Sequence, residues 1–223
     1  MVSLDNNRRY LQIAFNHDLG MLIQKLPDIP DSNRILIEAG TPLIKREGMN
    51  AIRVIRSRWS GHIVADLKVS DGAIGEVNMA RSAGATAATV LGNAPTETLN
   101  LFIERCATLR MLSMIDLLGV DDPLDVLRPL KKAPNIIVIH RGRDEENTHG
   151  KMIRYRQINR IRSKYDCLIS AAGGVDLREA RSAIFNGANI VVANIVHPDD
   201  GWTGIQTTED LNQIARQFLE TIS

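Results

Sequence analysis

Cysteine is nearly absent from this chain: Cys106 and Cys167 stand alone in 223 residues. Neither sits at metal-ligand spacing and no secretory leader is apparent upstream, so a disulfide scaffold and a zinc ribbon are excluded, and two buried thiols in a reducing, cytoplasmic setting are expected. Aromatic residues are also few, at 4%, so the core must come from Ile, Leu, Val and Ala within the 44% hydrophobic fraction, a composition suited to buried parallel strands. Charge of one sign is lacking as well. A net charge of +1 gives no electrostatic ground for binding nucleic acid or an anionic membrane. No apolar run approaches the roughly 20 residues that cross a bilayer, so no membrane partner is expected.

What is present is a recurring short apolar run. Strands are predicted over Leu11 to Phe15, Arg34 to Ala39, His62 to Val69, Ala85 to Leu91, Arg110 to Leu117, Ile136 to His140, Cys167 to Ala172 and Ile190 to Val196. Their starts lie about 23 to 31 residues apart, close to the roughly 30 residues of a strand-helix-strand unit. Amphipathic segments fall between them, among them Gly75 to Ser82, Glu97 to Thr108, Met152 to Lys164 and Leu177 to Asn186. Glycines at Gly84 and Gly187 punctuate helix ends just before strands. A last helix is predicted over Thr208 to Ile222, with Thr208 as its N-cap. Eight alternating units with no linker or change in composition predict an α/β fold, a (β/α)8 TIM barrel forming a single domain over residues 1–223.

In such a barrel the chemistry sits where the strands end. Asn16 and Asp18 follow the first strand, and Glu38 and Thr41 the second. Asp66, Lys68 and Asp71 come from the third, Asp116 from the fifth, His140, Arg141 and Arg143 from the sixth, Gly173 and Gly174 from the seventh, and Asn194 from the eighth. The most informative stretch is IVADLKVSDG. Strand alternation puts Asp66 and Lys68 on one face with Asp71 just past the strand end, so three charges are expected to meet. Two carboxylates around an ammonium can bind a divalent metal, hold a sugar hydroxyl or stabilise a developing anion. A structural barrel has no need of Glu38, Asp66, Lys68 and His140 at one mouth, because charges are rarely buried without partners. His17, His62, His149 and His197 read as bystanders. The loop Arg141 to Gly150 has the polar composition of a lid, and Trp202 either caps the mouth or packs under the last helix, the latter being the expectation.

With these residues in place the chain resembles the orotidine 5'-phosphate decarboxylase superfamily, and within it the branch of 3-hexulose-6-phosphate synthase (archaeal type) and 3-keto-L-gulonate-6-phosphate decarboxylase. The resemblance rests on IEAGTPLIKREGMNAIR, on ADLKVSDG with Glu76, on AGATAATVLGNAPTETL and on AAGG. It implies Mg2+ as cofactor with Glu38 and Asp66 as ligands, Lys68 beside an enediolate, and Asp71 reaching into the active site of a second subunit in a homodimer. It also implies His140 in proton transfer, and Asp66, Gly173 and Gly174 in substrate binding, the glycines as the start of a phosphate cradle. The implied reaction is that of an aldolase-type carbon–carbon lyase, joining formaldehyde to ribulose 5-phosphate or running the reverse cleavage.

Three positions depart from the family pattern. Asn16 stands where the family has an aspartate, and its amide can bind a sugar hydroxyl but cannot accept a proton. Asp18 is a candidate substitute if its loop folds back. Ala193-Asn194 stands where a glycine and a small or basic residue are expected, and a methyl at Ala193 is expected to crowd a phosphate near the backbone. Arg143, in HRGRD, matches the decarboxylase branch, where the second arginine positions the protonating water. Two other readings therefore accompany the synthase: a decarboxylase of a 3-keto sugar-acid phosphate, and a diverged barrel that binds a sugar phosphate without turning it over.

Overall fold

In the computed structural model, which describes residues 3–146, 148 and 152–223, the apolar runs become strands because their β-branched residues suit a sheet buried on both faces. These are β1 (Tyr10–Phe15), β2 (Ile35–Ala39), β3 (His62–Val69), β4 (Ala87–Leu91), β5 (Leu112–Asp116), β6 (Ile136–His140), β7 (Leu168–Ala172) and β8 (Ile190–Val196). Each pairs in parallel with the next, and β1 pairs with β8. The sheet is thus closed, and the fold is a single-domain (β/α)8 barrel. A two-residue strand, β9 (Ile205–Gln206), adds to β8 outside the ring.

The surrounding helices are α1 (Leu19–Lys25), α2 (Thr41–Glu47), α3 (Asn50–Arg56), α4 (Ala73–Ala83), α5 (Thr96–Thr108), α6 (Pro123–Leu127), α7 (Arg143–Glu146), α8 (Arg156–Arg162), α9 (Leu177–Phe185) and α10 (Leu211–Thr221). Several boundaries differ from expectation for local reasons. β4 starts two residues late because the Ala85 N–H closes α4 by donating to the Ala80 carbonyl. α10 is capped by Asp210, whose carboxylate accepts from the Gln213 N–H, and not by Thr208. α8 begins at Arg156, four residues after Met152. None of the described helices is long and apolar enough to cross a membrane.

Strand alternation sorts the core into two compartments. Tyr10, Ala14, Leu36, Val64, Leu112, Met114, Ile136, Val138 and Val192 belong to the cluster that fills the barrel, while Leu11, Ile13, Ile35, Ile37, Ile63, Ile115, Ile137, Val191 and Ala193 join the layer beneath the helices. Complete burial of one such Leu or Ile is worth roughly 1.5–3 kcal/mol. The filled interior makes the barrel a plugged cylinder, so a ligand can enter only at a mouth.

Candidate active site

Above that apolar plug, at the C-terminal ends of the strands, lies a cavity of about 450 Å3 whose floor includes Met114, Val138 and Val192. Gln12, Asn16, Glu38, Asp66, Lys68, Asp116 and His140 rise from its walls. Asp66 and Lys68 do face the same way, but a simple strand does not account for it. Pairing passes from Ala65↔Ala88 to Val69↔Val90, so β3 carries a bulge here, and Lys68 has φ 48°, in the left-handed region. A lysine is held in that conformation only where its surroundings over-determine it, as at ligand sites. Thr89 supplies the restraint: its hydroxyl accepts from the Lys68 N–H at 2.9 Å and donates to Asp66 Oδ1 at 2.8 Å. The Thr41 hydroxyl fixes the other Asp66 oxygen at 2.7 Å.

The lysine ends in a buried ion-pair network. Lys68 Nζ lies 2.6 Å from Asp116 Oδ2 and 3.2 Å from Asp66, and His140 Nδ1 lies 2.9 Å from both oxygens of Asp116. Burial opposes the charges on Lys68, Asp116 and His140, yet the pairing outweighs it. The Asp66 and Asp116 carboxylates raise Lys68 above its ordinary value, and Asp116 likewise raises His140. His140 and Lys68 together hold Asp116 well below the usual carboxylate range. Lys68 is therefore an ammonium, Asp116 a carboxylate, and the Nδ1 proton of His140 is committed to Asp116, leaving Nε2 as the ring's free nitrogen.

Glu38 behaves differently. Burial, followed by the nearby Asp66 charge, pushes its carboxyl up to about 7 despite a hydrogen bond donated by Gln12 Nε2. Gln12 Oε1 is itself buried with no hydrogen-bond partner. Two carboxylates in mutual repulsion beside an unused amide oxygen suit a hard divalent cation that keeps positions open for substrate and water. Among the described residues no group of three His, Cys, Asp or Glu side chains forms a ready metal cage. The donor set fits an ion shared with substrate oxygens, not a closed structural site.

Other expected residues are placed less uniformly. Asn16 and Asn194 both line the cavity, and Asn16 Nδ2 donates to Asn194 Oδ1 at 3.0 Å across the β1–β8 seam. Asn16 and Asn194, from two of the three departures from the family pattern, are thus hydrogen-bond partners. Ala193 is a correction: it is fully buried beneath the helices and does not line the cavity, so its methyl does not crowd a ligand. Asp71 does not join Asp66 and Lys68. It is exposed in the turn after β3, its Oδ1 accepting from the Gly72 N–H at 2.8 Å. Asp18 does not fold back either, because its carboxylate caps α1 by accepting from the Met21 N–H. Gly173 lines the cavity, and both Gly173 and Gly174 have positive φ.

Arg143 lines the mouth and lies 4.1 Å from the ring centroid of Trp202, so the tryptophan ring stacks beside the mouth against that guanidinium. His17 and His197 meet edge to face with centroids 4.6 Å apart, and His17 pairs with Asp200 at 3.1 Å, clipping the β8 loop to the β1 loop. His149 and part of the Arg141 to Gly150 loop lie outside the described residues.

Asp116, Thr89, Thr41 and Gln12 are the contributors to which the sequence assigned no role. Position at strand ends places Asp116 and Thr41 at the mouth, Asp116 as the lone acid closing the run LSMID, whereas nothing in the sequence marks Thr89 and Gln12.

A family model described as "Orotidine 5'-phosphate decarboxylase / HUMPS family" matches residues 6–194. The chain is 34% identical over 215 residues to the bifunctional enzyme Fae/Hps of Methanothrix thermoacetophila, covering 96% of this chain and 52% of that protein. It spans about half the length of the curated relatives it matches. Among solved structures it is similar to 3-hexulose-6-phosphate synthase from Salmonella typhimurium, with a TM-score of 0.83, 24% identity and coverage of 96% of this chain and 98% of that one. It is also similar to 3-keto-L-gulonate-6-phosphate decarboxylase from Vibrio cholerae, with a TM-score of 0.74, 21% identity and coverage of 97% and 98%. At these identities the structural likeness speaks for the fold.

Proposed function

Because the chain belongs to the orotidine 5'-phosphate decarboxylase / HUMPS family, we propose that its cavity is the active site of a lyase like 3-hexulose-6-phosphate synthase. The reaction is condensation of formaldehyde with ribulose 5-phosphate, or the reverse cleavage, through an enediolate. One observation carries the reading: the Lys68 ammonium, strained at its backbone and clamped between Asp66 and Asp116, is aimed into a cavity that also holds the Glu38 carboxyl. Fae/Hps relatives of similar sequence support the synthase over other members of the family.

Glu38 and Asp66, with the Gln12 amide oxygen near Glu38, would hold Mg2+. When bound, that ion supplies Lewis acidity to a ketose carbonyl and its neighbouring hydroxyl. The rest falls to the chain's own residues. Lys68 presents fixed positive charge where the enediolate oxygen develops, and its ion pairs keep it protonated without needing to reorganise. Transfer of a C1 proton from ribulose 5-phosphate to His140 Nε2 would leave the enediolate, whose carbon forms the new bond to formaldehyde. The resulting alkoxide then takes up a proton. His140, oriented by Asp116 through Nδ1, is the group placed to deliver it, and to remove it in the cleavage direction. Asn16 and Asn194 would bind substrate hydroxyls, Gly173 and Gly174 would receive the phosphate end, and exposed Asp71 would complete the site of a second subunit in a homodimer.

Formaldehyde released from hexulose 6-phosphate with added Mg2+, followed in a coupled assay, tests this reading. Release that depends on the ion supports it, and sugar-phosphate binding without any turnover overturns it in favour of a non-catalytic barrel. The decarboxylase reading is kept by Arg143 at the cavity mouth. CO2 evolved from a 3-keto sugar-acid phosphate, with no formaldehyde chemistry, would replace the synthase with it.

A further inference from the structure

The cavity rim also carries an acid that stands outside the Lys68, Asp116 and His140 network. Glu146 ends α7, is half-buried and faces the cavity. Its Oε2 lies 3.4 Å from the Thr203 N–H and would lie 3.0 Å from a Cβ placed on Gly174. From the other side Arg141 Nη2 would lie 2.2 Å from that same point, and it donates to the Gly173 carbonyl at 3.0 Å. Any side chain at Gly174 would therefore displace both groups. The bare glycine turn after β7, a backbone N–H from Thr203 and the fields of Arg141 and Arg143 converge on a single corner, and the group found in it is a carboxylate. Partial burial disfavours negative charge there and raises the Glu146 carboxyl above its ordinary value, opposed by the Thr203 N–H and the two arginines, which favour an anion. An anion corner at the rim of a substrate cavity, filled by the protein's own acid, is a site with an internal competitor.

We propose that Glu146 is a specificity-determining residue that occupies the phosphate corner of the substrate-free cavity and must be displaced by a phosphorylated ligand. A phosphate dianion offers more charge and more acceptor oxygens than the carboxylate it replaces, so exchange is favourable, but each binding event carries the cost of expelling Glu146. A ligand ending in a neutral hydroxyl gains no such exchange and leaves Glu146 in place. The acid thus selects for phosphorylated substrates while weakening their apparent affinity. For the identity of that substrate the inference rests on the synthase reading above, whereas the exchange itself does not.

Inorganic phosphate is the direct probe, titrated calorimetrically into the wild-type chain, Glu146→Gln and Glu146→Asp at fixed ionic strength. Removal of a like charge from a partly buried corner predicts that Glu146→Gln binds phosphate about tenfold more tightly, with Glu146→Asp, whose carboxylate is withdrawn by one methylene, in between. The KM for ribulose 5-phosphate should fall by a similar factor in Glu146→Gln while kcat stays within about twofold. Phosphate affinity that is unchanged or weaker in both variants, with their melting curves intact, overturns the role of Glu146. If the wild type fails to turn over ribulose 5-phosphate with formaldehyde but Glu146→Gln still binds phosphate more tightly, the synthase reading falls and the inference stands. Turnover in the wild type with no tighter phosphate binding in Glu146→Gln gives the opposite result.

Discussion

The cavity has two unlike walls. On the β2–β6 side, Glu38, Asp66, Lys68, Asp116 and His140 stand on strands; ion pairs and the Thr41 and Thr89 hydroxyls tie Asp66, Lys68, Asp116 and His140 together, and Gln12 holds Glu38. On the β7–β8–β1 side, the Asn16 amide donates one hydrogen bond to the Asn194 amide oxygen, two glycines leave the backbone bare, and Arg143 and Glu146 reach in from a four-residue helix. Fixed charge on rigid strands is what stabilisation of an anionic intermediate requires, since the field must be in place before the charge develops. Neutral amides and loop-borne groups suit the discrimination of a ligand's end, where exchange and fit matter more than field. The first wall speaks for the intermediate, the second for the substrate.

The largest expected effect would come from breaking the charged wall. Lys68→Ala should lower kcat on the order of 10^3-fold in the synthase assay, because it removes charge aimed at the enediolate. Activity retained in that variant would show that the wall is structural. Asp116→Asn should cost about 3 kcal/mol of stability in urea unfolding, because Lys68 and His140 lose the anion that neutralises them in a buried site. A His140 titration followed by NMR should move to lower pH in the same variant.

Glu38 adds a pH dependence with a defined sign. Its folded value of about 7 lies above the ordinary 4.5, so between these pH values the folded chain retains a proton that the unfolded chain has released. The stability this group provides is complete below about pH 4.5 and is lost as pH rises through 7, a loss on the order of 3 kcal/mol. Denaturant melts of chelator-treated protein across that window should show the decline, and Glu38→Gln should flatten it. A slope of the same steepness in Glu38→Gln would assign the effect elsewhere. The smallest effect is expected at the neutral wall. Asn194→Ala loses one hydrogen bond of about 1 kcal/mol, so KM should rise roughly fivefold with kcat little changed. A fall in kcat comparable to that of Lys68→Ala would erase the distinction between the walls.

Much of the charged wall was legible in the chain, because Glu38, Asp66, Lys68 and His140 all sit at the ends of recognisable strands and strand ends in a barrel share a mouth. Asp116 also sits at such an end, but nothing local shows that it bridges Lys68 and His140, which come from residues 48 and 24 positions away. Ala193 was misread for a related reason. Its position near the mouth followed from the sequence, but which face of β8 it occupies depends on the phase of the strand, and that phase places Asn194 inward and Ala193 under the helices. Asp71 was expected to meet its neighbours only because it is close to them in sequence, and the turn at Gly72 carries it away.

By itself the sequence determined the closed barrel and the set of strand ends that share its mouth, since apolar periodicity and the spacing of the units leave little other choice for burying eight β-rich runs. Only the tertiary structure decided the bulge that strains Lys68, the Asp116 bridge, the Asn16–Asn194 bond and the arrival of Glu146 beside Gly174. These depend on register and loop path across residues far apart in the chain, and local propensity encodes neither.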